Sequence, residues 1–277
     1  MKVNAYAKIN LAMDVFNVRE DGYHDIHSIM TPIDFYDELE MTPAAVDTFL
    51  CNRAFIRWNA HNSIYKMIEA VREKCGLESH YAVRLKKMIP LQAGLGGGTA
   101  DAAAALKILQ KLHHLELNRE EIIELCLKVG ADVPFNYFNT PAIVSGIGDV
   151  IEPFKMAKRY QVLLVKPRSG ISTREAYNSL DMDACDHPDI PALRKALEEG
   201  SDIHGLLGNS LEEPALKLNA EIRTVKEKLL SYGVGEVLMS GSGSTVFCIS
   251  EDAAALRKIA DDLSGSRLYV RYTKTLN

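Results

Sequence analysis

The sequence lacks the cysteine pattern of a disulfide-rich or zinc-binding protein. Its five cysteines are odd in number, lie far apart and never form a C-x-x-C pair. Disulfide frameworks and structural zinc sites usually need even or clustered sets at close spacings. We therefore expect reduced thiols and a cytoplasmic protein. The cysteines are Cys51, Cys75, Cys126, Cys185 and Cys248.

The sequence also lacks a basic excess and a long apolar run. Its formal net charge is −5, whereas chains that bind nucleic acid or anionic membranes usually carry an excess of Lys and Arg. No stretch approaches the ~18 uncharged apolar residues of a membrane span, and the first ten residues are too polar for a signal peptide. We expect no nucleic-acid or membrane partner, so an anionic ligand must be bound by a local cluster of donors.

The length of 277 residues favours about two domains, because a single core rarely grows much beyond 250 residues. With 47% hydrophobic and 25% charged residues, the composition is that of an ordinary folded protein. The order of predicted elements changes after Pro153. We predict an N-terminal domain of residues 1–155 and a C-terminal domain of residues 156–277.

The first half has the pattern of a mixed α/β domain. Asn62 is suited to be the N-cap of a helix that reaches Cys75, and Asn118-Arg-Glu-Glu121 has the spacing of a capping box. Gly130 is expected to end the second of these helices. A further alanine-rich helix is predicted from Thr99 onward. The predicted strands are residues 2–16, 26–40, 46–57 and 81–88.

The second half predicts a β-α-β-β-α-β order, which is the ferredoxin-like arrangement with extra helices in its first crossover. A second capping box is expected at Ser172-Thr-Arg-Glu175. A Gly-Ser-Gly-Ser turn separates the two middle strands. The predicted strands are residues 161–165, 236–240, 245–249 and 267–273, and the last helix is residues 251–263. The predicted fold class is therefore α+β.

A glycine-rich run, Pro90-Leu-Gln-Ala-Gly-Leu-Gly-Gly-Gly-Thr99, lies between a predicted strand and a predicted helix. Successive glycines let backbone N–H groups point toward one anion, and the helix adds its positive N-terminal end. The run lacks the Gly-Lys-Ser/Thr of a Walker A loop and does not cleanly meet G-x-G-x-x-G. A phosphate is the natural occupant, and a glycine-rich turn without a ligand is the alternative.

Three ordered motifs resemble those of the GHMP kinases, the superfamily of galactokinase, homoserine kinase, mevalonate kinase and phosphomevalonate kinase. The first is Ala7-Lys-Ile-Asn-Leu11, the second is the glycine run with its following Ala-Asp-Ala, and the third is Met239-Ser-Gly-Ser-Gly-Ser-Thr245. Residues 19–24, 130–134 and 171–177 are similar to one branch of this superfamily, which acts in the non-mevalonate isoprenoid pathway. The resemblance spans nearly the whole chain.

The resemblance implies a two-domain GHMP kinase fold. Its N-terminal mixed α/β domain has a left-handed-crossover type sheet and binds ATP, and its C-terminal domain is ferredoxin-like. The implied reaction transfers the γ-phosphate of ATP to the 2-hydroxyl of 4-diphosphocytidyl-2-C-methyl-D-erythritol, a small-molecule substrate carrying cytidine diphosphate. The implied cofactors are ATP and Mg²⁺. We expect a monomer or a weak homodimer.

The resemblance makes Asp132 the group that takes the hydroxyl proton and places Lys8 beside it, where its charge keeps the carboxylate ionised and favours the developing alkoxide. From spacing alone, Asp132 also fits a C-capping carboxylate and Lys8 a solvated strand lysine.

The residues implied for acceptor binding share polar or aromatic character. Tyr23 and His24 offer a face for stacking on cytosine and ring nitrogens for hydrogen bonds. Thr173 and Tyr177 lie four apart on a predicted helix and share one face, and in the resemblance Tyr177 closes the other side of the base. Asn10 is expected near substrate and phosphates, with ordinary strand-edge hydrogen bonding as its alternative.

The residues implied for ATP surround the glycine run. Residues 95–99 are expected to hold the phosphates, and Thr99 is expected to reach Mg²⁺ through its hydroxyl. No carboxylate is assigned to Mg²⁺, because Asp101 also suits the helix N-terminus electrostatically. The turn Gly241-Ser-Gly243 fits either a tight hairpin or a lining of the substrate phosphates. The implied ATP-binding set is Asn62, Lys87, Pro90, Gly94, Leu95, Gly96, Gly97, Gly98 and Thr99.

Three other interpretations stay open from the sequence. The chain fits another GHMP kinase with a homoserine, mevalonate or sugar acceptor, and it fits a non-catalytic nucleotide-binding homologue. His24 and His27 form an H-x-x-H, but no third metal ligand is near them in sequence, so metal binding there is not favoured. Residues 46–61 contain no motif that we can assign.

Overall fold

The computed structural model describes residues 1–20 and 22–277, so Asp21 of the motif at residues 19–24 lies outside the described residues. The chain forms two compact units. The first consists of Met1–Ala7, Phe35–Pro90 and Gly96–Asn139, and the second consists of Lys8–Asp34, Leu91–Leu95 and Thr140–Asn277. The domain limit predicted near residue 155 stays a prediction.

Strands and helices alternate along both units. The strands are β1 (Lys2–Val18), β2 (His24–Ala44), β3 (Thr48–Cys51), β4 (His80–Lys86), β5 (Ala142–Gly146), β6 (Val150–Pro153), β7 (Gln161–Lys166), β8 (Gly208–Asn209), β9 (Glu236–Met239), β10 (Val246–Ser250) and β11 (Tyr269–Lys274). The helices are α1 (Ser63–Cys75), α2 (Gly97–His113), α3 (Arg119–Leu127), α4 (Val133–Phe138), α5 (Thr173–Asn178), α6 (Ile190–Glu199), α7 (Glu212–Leu218), α8 (Ala220–Leu230) and α9 (Ala253–Asp262).

The first unit packs α1, α2 and α3 on a sheet of order β3-β4-β2-β1. β4 is antiparallel to β2, with Leu39 opposite Leu85, and parallel to β3. Alternation along β4 buries Tyr81, Val83 and Leu85 on one face. The alanine run of α2 is buried on several sides, because small side chains let α1 and the sheet approach closely. This core fixes where α2 begins.

The N-termini of α1 and α3 are capped by the residues that the sequence predicts. The side chain of Asn62 accepts hydrogen bonds from the backbone N–H groups of Ile64 and Tyr65, which confirms the predicted N-cap. Asn118 and Glu121 form the predicted capping box. α3 ends at Leu127, before Gly130, with Lys128 in right-handed helical conformation at the C-cap. The expected stop at Gly130 is therefore wrong by about one turn, because the chain leaves the helix through a right-handed turn that needs no glycine.

The second unit contains the C-terminal sheet, whose order is β11-β7-β10-β9. All neighbouring strands in it are antiparallel, and β7, β9, β10 and β11 with helices α8 and α9 give the predicted β-α-β-β-α-β arrangement. In the same unit β5 is antiparallel to β2 and β6, and β8 is parallel to β1. The short strand β8 lies in the long connection between β7 and β9.

Two further local predictions are wrong. The strand expected at residues 46–57 is limited to β3, and turns follow it because polar residues and the N-cap Asn62 interrupt the alternation. Ser172 occupies the N-cap position of α5, but among the residues that the structure describes its side chain makes no capping hydrogen bond. The second capping box is therefore absent. Within the described part of the chain, no helix is long and apolar enough to cross a membrane.

Candidate active site

Lys8 and Asn10 lie side by side on β1 in the second unit, and both side chains are buried. Nζ of Lys8 donates to Oδ1 of Asn10 at 2.6 Å, and Nδ2 of Asn10 donates to Oγ of Ser28 at 3.0 Å. The Ser28 hydroxyl in turn donates to the carbonyl of Ala12. Lys8 is only 3% exposed, so it is not a solvated strand lysine. Burying an ammonium is costly without partners, which marks Lys8 as a candidate functional residue.

The late turn between β9 and β10 packs on the first part of the glycine run. Oγ of Ser240 donates to the carbonyl of Gly94 at 2.9 Å and accepts from the backbone N–H of Asn10 at 3.4 Å. Gly94 has a φ of 69°, and a Cβ added there would lie 1.9 Å from the carbonyl oxygen of Ser240. The backbone N–H of Lys8 donates to the carbonyl of Leu95. The second unit therefore joins residues of all three predicted motifs.

The backbone of this late turn also covers the Lys8 ammonium. A Cβ added at Gly241 would lie 3.2 Å from Nζ of Lys8 and 3.3 Å from Oδ1 of Asn10, which is tight, and its φ of 56° also favours glycine. Nδ2 of Asn209 donates to the carbonyls of Met239 and Gly241 at 2.9 Å each. The turn is thus a hairpin connection, and whether it also lines substrate phosphates stays a prediction.

An aromatic contact lies beside the start of β2. The rings of His24 and Tyr177 have centroids 4.8 Å apart with an interplanar angle of 47°. Thr173, one turn before Tyr177 on α5, shares a hydrogen bond of 2.9 Å with Ser242 of the late turn. Tyr23 is 59% exposed. The structure therefore brings His24 and Tyr177 together. A flat base stacked between two rings needs about 7 Å between the ring centroids, so these two rings would have to separate to admit one.

The second part of the glycine run begins α2 in the first unit. The helix starts at Gly97 rather than at Thr99, with Gly96 as the left-handed N-cap. Gly97, Gly98 and Thr99 therefore form its first turn, where backbone N–H groups have no acceptor within the helix. Together with the helix dipole they suit an anionic ligand. Pro90 ends the preceding segment of this unit.

The side chain of Thr99 is held at this turn by Gly96 and Asn136. Its hydroxyl has two acceptors within hydrogen-bond distance, the carbonyl of Gly96 at 2.9 Å and Oδ1 of Asn136 at 3.2 Å, which share its single proton. Nδ2 of Asn136 then donates to the carbonyl of Tyr6. Because the Thr99 oxygen acts as donor here, it keeps lone pairs that suit a hard cation.

Lys87 lies in a buried cluster with two carboxylates. Its ammonium contacts Oδ2 of Asp37 at 2.5 Å and Oδ2 of Asp101 at 2.6 Å, and the three side chains are at most 5% exposed. Asp37 also accepts from the backbone N–H groups of Met88 and Ile89. A role for Lys87 in ATP binding stays a prediction, as does one for Asn62, whose amide also donates to the carbonyl of Arg57.

Two carboxylates facing one ammonium shift each other's protonation. Burial raises the pKa of the Asp101 carboxyl well above its usual range, and the charge of Lys87 offsets this only in part. Burial acts to lower the pKa of Lys87, but Asp101 and Asp37 outweigh it and the pKa lies above its ordinary value. Within residues 1–20 and 22–277, Oδ1 of Asp101 is buried without a hydrogen-bond partner. A proton on Asp101 leaves the cluster electrically neutral.

Asp132 occupies the N-cap position of α4, a short helix in the first unit that the sequence does not predict. It is half-buried, and Pro134 stands within the first turn of the helix. The alternative that Asp132 caps a helix C-terminus is therefore wrong. Its pairing with Lys8, which belongs to the second unit, stays a prediction.

No metal site is built from protein side chains alone in the part of the chain that the structure describes. No group of three His, Cys, Asp or Glu side chains there is arranged to hold a metal ion, and this includes the surroundings of His24 and His27. A role for the Thr99 hydroxyl in binding Mg²⁺ stays a prediction.

Several contacts within the site are not predicted from the sequence. Asp37 lies 50 residues before Lys87, Asn136 lies 37 residues after Thr99, and Ser240 lies 230 residues after Asn10. Such pairs are formed by the fold, so no local spacing reveals them. The sequence signals for Asp101 are its place in the Ala-Asp-Ala that follows the glycine run and its position near the start of an alanine-rich helix.

Known proteins match this chain over both halves. The model of the GHMP kinases N terminal domain matches residues 62–146, and that of the GHMP kinases C terminal matches residues 181–269. A protein of Thermoanaerobacter pseudethanolicus named 4-diphosphocytidyl-2-C-methyl-D-erythritol kinase is 41% identical, over 100% of this chain and 96% of its own length. A protein of the same name from Clostridium kluyveri is 36% identical over the whole of both chains.

Solved structures give the same picture of the fold. A crystal structure of 4-(cytidine 5'-diphospho)-2C-methyl-D-erythritol kinase matches with a TM-score of 0.83 and 30% identity over the whole of both chains. A homoserine kinase from Cytophaga hutchinsonii matches with a TM-score of 0.74 at 17% identity, over 98% of this chain and 94% of its own, which shows the fold alone. The two-domain α+β fold predicted from the sequence is confirmed.

Proposed function

The chain belongs to the GHMP kinases, and from that premise we propose that it transfers the γ-phosphate of ATP to the 2-hydroxyl of 4-diphosphocytidyl-2-C-methyl-D-erythritol. It is an ATP-dependent small-molecule kinase. The observation that carries the choice of acceptor is the 41% identity, over the full chain, to a protein named for this substrate. This reaction is a step in the biosynthesis of isoprenoid precursors.

We assign proton removal to Asp132 and charge stabilisation to Lys8. Phosphoryl transfer needs the acceptor hydroxyl in line with the γ-phosphate, and it needs the developing negative charge to be met by fixed donors. What supports Lys8 in this role is its burial and its fixed hydrogen bond to Asn10, which hold the ammonium in one place before substrate arrives. A lysine that must be ordered during the reaction would stabilise the transition state less.

We assign the ATP phosphates to the first turn of α2 and the residues just before it, Leu95 to Thr99. The N-terminal N–H groups of this 17-residue helix and its dipole suit negatively charged oxygens. When bound with ATP, Mg²⁺ neutralises charge on the phosphate oxygens. Thr99 is the residue we assign to that ion, because its hydroxyl proton is directed to protein acceptors, the Gly96 carbonyl and Oδ1 of Asn136, and the oxygen keeps lone pairs available.

We assign the cytidine part of the acceptor to Tyr23, His24 and Tyr177. The exposed ring of Tyr23 and the adjoining rings of His24 and Tyr177 give the second unit a surface on which a base can stack. Thr173 is exposed and shares a hydrogen bond with Ser242 of the late turn. We assign its hydroxyl to the sugar or diphosphate of the acceptor. A monomer or weak homodimer remains our prediction for the oligomeric state.

A coupled assay that follows ADP release tests the reaction. We expect turnover with ATP, Mg²⁺ and 4-diphosphocytidyl-2-C-methyl-D-erythritol, and none with homoserine or mevalonate. Asp132→Asn is expected to lower kcat by about 10²-fold or more while ATP and acceptor still bind, because it removes only the proton acceptor. Absence of turnover in folded wild-type protein with all three components would contradict the proposed reaction.

A tyrosine exchange separates this acceptor from other small alcohols. Tyr177→Ala is expected to raise KM for the acceptor about tenfold or more, because a stacked base is worth about 1–3 kcal/mol. KM for ATP should stay within about twofold. Tyr232→Ala is the matched control, because this ring contacts Lys228 on α8 and not His24. An unchanged acceptor KM in Tyr177→Ala would remove base stacking at this position.

A further inference from the structure

A hydrogen-bonded relay of three side chains lies outside the site described above. It consists of Cys185 and His187, in the segment between α5 and α6, and Asp14 on β1. Nδ1 of His187 lies 2.7 Å from Oδ1 of Asp14. Nε2 of the same ring lies 3.5 Å from Sγ of Cys185 and 3.2 Å from the carbonyl of Met182. A thiol, a ring nitrogen and a carboxylate in this order have the arrangement of a nucleophile, its base and the group that orients the base.

The relay is held against the sheet of the second unit. Ser210 donates its hydroxyl to the carbonyl of Asp186 at 2.7 Å and its backbone N–H to the carbonyl of Met13. A Cβ added at Gly208 would lie 2.3 Å from Oδ2 of Asp186 and 2.9 Å from Cβ of Pro188. The segment that carries Cys185 is therefore packed directly on β8, whose partner strand β1 carries Asp14.

Both protons of a charged His187 ring have acceptors. The Asp14 carboxylate faces Nδ1, and the Met182 carbonyl faces Nε2. When Nε2 is unprotonated, its lone pair faces the Cys185 thiol, which also lies 3.6 Å from the Met182 carbonyl. The surroundings thus accommodate the imidazolium that forms when the ring takes the thiol proton.

We propose that Cys185 is a nucleophilic thiol that forms mixed disulfides with small uncharged disulfides, with His187 as its base and Asp14 as the residue that positions the ring. Nε2 of His187 takes the proton as the Cys185 sulfur attacks one sulfur of the disulfide. A new S–S bond forms while the original S–S bond breaks. The departing thiolate then takes a proton from His187, so no further oxidant is needed.

The charges around the thiol set the class of partner. Burial raises the pKa of the Cys185 thiol, the Ser210 hydroxyl acts against this, and the carboxylates of Asp14 and Asp186 add to the rise. The thiol is therefore largely protonated at neutral pH, and a base is needed at the moment of attack. Asp14 raises the pKa of His187, with help from the Met182 carbonyl, which makes the ring a stronger base. The same carboxylates repel anionic disulfides.

The other cysteines provide internal comparisons. Cys126 and Cys248 are buried, and burial raises the pKa of each to about 12, so both should be inert. Cys51 and Cys75 are partly exposed like Cys185, and neither has a histidine among the side-chain contacts that the structure gives for it. Cys185 is thus distinguished by its relay rather than by its exposure.

Reaction with 2,2′-dithiodipyridine, a neutral disulfide, tests the proposal. Release of pyridine-2-thione gives the rates, and peptide mass spectrometry gives the position of each modification. We expect the fastest phase to map to Cys185, to vanish in Cys185→Ser and to slow about tenfold or more in His187→Gln. His204→Gln is the matched control, because His204 pairs with Glu236 as His187 does with Asp14 but stands beside no described cysteine.

Two outcomes would overturn the proposal: a fastest phase that maps to Cys51 or Cys75, or one that His187→Gln leaves at the wild-type rate. If His187→Gln lowers Tm, Asp14→Asn replaces it, because this change keeps the ring and removes only the orienting carboxylate. An Asp14→Asn rate equal to that of wild type then contradicts the relay, and a slower rate with unchanged Tm supports it. The measurement needs no substrate, so its result is independent of the kinase activity.

Discussion

The buried ammonium of Lys87 faces two buried carboxylates at once, those of Asp37 and Asp101. Removing one partner of a buried ion pair leaves an uncompensated charge, which typically costs about 3–5 kcal/mol. We therefore expect Lys87→Met to lower the free energy of unfolding by about that amount.

Lys86→Met is the matched control for this change. Lys86 is the neighbouring residue, its side chain is 59% exposed, and it pairs with Glu38 at the surface. Solvent screens this pair, so its loss should cost far less. Urea unfolding of both variants checks the prediction, and equal losses for Lys86 and Lys87 would show that the buried cluster is not what stabilises the unit.

The proton on Asp101 predicts a pH dependence of stability. Burial raises the pKa of this carboxyl from 3.8 to about 8, so the folded state binds a proton that the unfolded state releases. Its contribution is fully present below about pH 4 and is lost as pH rises toward 8, with a slope of at most about 1.4 kcal/mol per pH unit.

Asp101→Asn tests this dependence because asparagine keeps the shape and cannot release a proton. Between pH 5 and 8, we expect the free energy of unfolding of wild type to fall relative to that of the variant. Urea unfolding at several pH values gives the comparison. Parallel curves for the two proteins would mean that Asp101 is ionised throughout this range.

Candidate site residues could be identified from the sequence where they lie within a recognisable motif. Lys8 and Asn10 were singled out from the sequence, and the structure shows that their side chains are hydrogen-bonded to each other and buried, while their roles stay predictions. The alternatives for Lys8 and Asp132 could be rejected only from the structure, since spacing does not show burial or the presence of α4. The pairing of Lys87 with Asp37 joins residues 50 positions apart, which no local pattern encodes.

At the scale of elements, the first turn of α2 determines how closely the glycine run approaches its neighbours. A Cβ at Gly97 would lie 2.8 Å from Cγ2 of Ile89 and 3.0 Å from Nζ of Lys87, whereas one at Gly98 would lie 3.3 Å from Oγ of Ser63. Gly97→Ala should therefore displace the turn, because two buried groups must move.

We expect Gly97→Ala to raise KM for ATP about tenfold or more, since a shift of about 1 Å in a positioning element can cost this much. Gly98→Ala should change KM much less, because the Ser63 hydroxyl can rotate away. Steady-state kinetics with varied ATP tests the pair. A larger effect at Gly98 than at Gly97 would place the phosphates on the other side of the turn.

Elements were predictable where their ends carry a local signal. Asn62 and Asn118 cap α1 and α3 as expected, because capping depends on residues within one turn. α4 was missed since six residues with a proline near the start give little periodicity. The start of α2 was placed two residues late because glycines disfavour helices unless packing requires them, as it does at Gly97.

At the scale of the whole molecule, the two units are built from alternating chain segments. Three segments of the first unit alternate with three of the second, so the chain passes between the units five times. β1 and β2 each contribute residues to both units. Such connectivity favours cooperative folding of the full chain over independent folding of its two halves.

A chain cut at the limit predicted near residue 155 tests this connectivity. The fragment 156–277 lacks β1, the strand that pairs with β8, and residues 91–95, which pack on the late turn. We expect it to lose the cooperative unfolding transition of the full chain. Thermal unfolding followed by circular dichroism checks this, and a sharp transition in the fragment would establish residue 155 as the limit of an independent folding unit.

On our proposal that the acceptor base stacks at His24 and Tyr177, the contact between these rings, at 4.8 Å, predicts a time order for acceptor binding. If a base stacks between them, it enters only those molecules in which the rings have separated. The observed association rate then levels off at high ligand concentration, at the rate of ring separation, instead of rising in proportion. The apparent affinity is weakened by the fraction of molecules that are open. Acceptors that keep the rings apart longest would gain most in residence time.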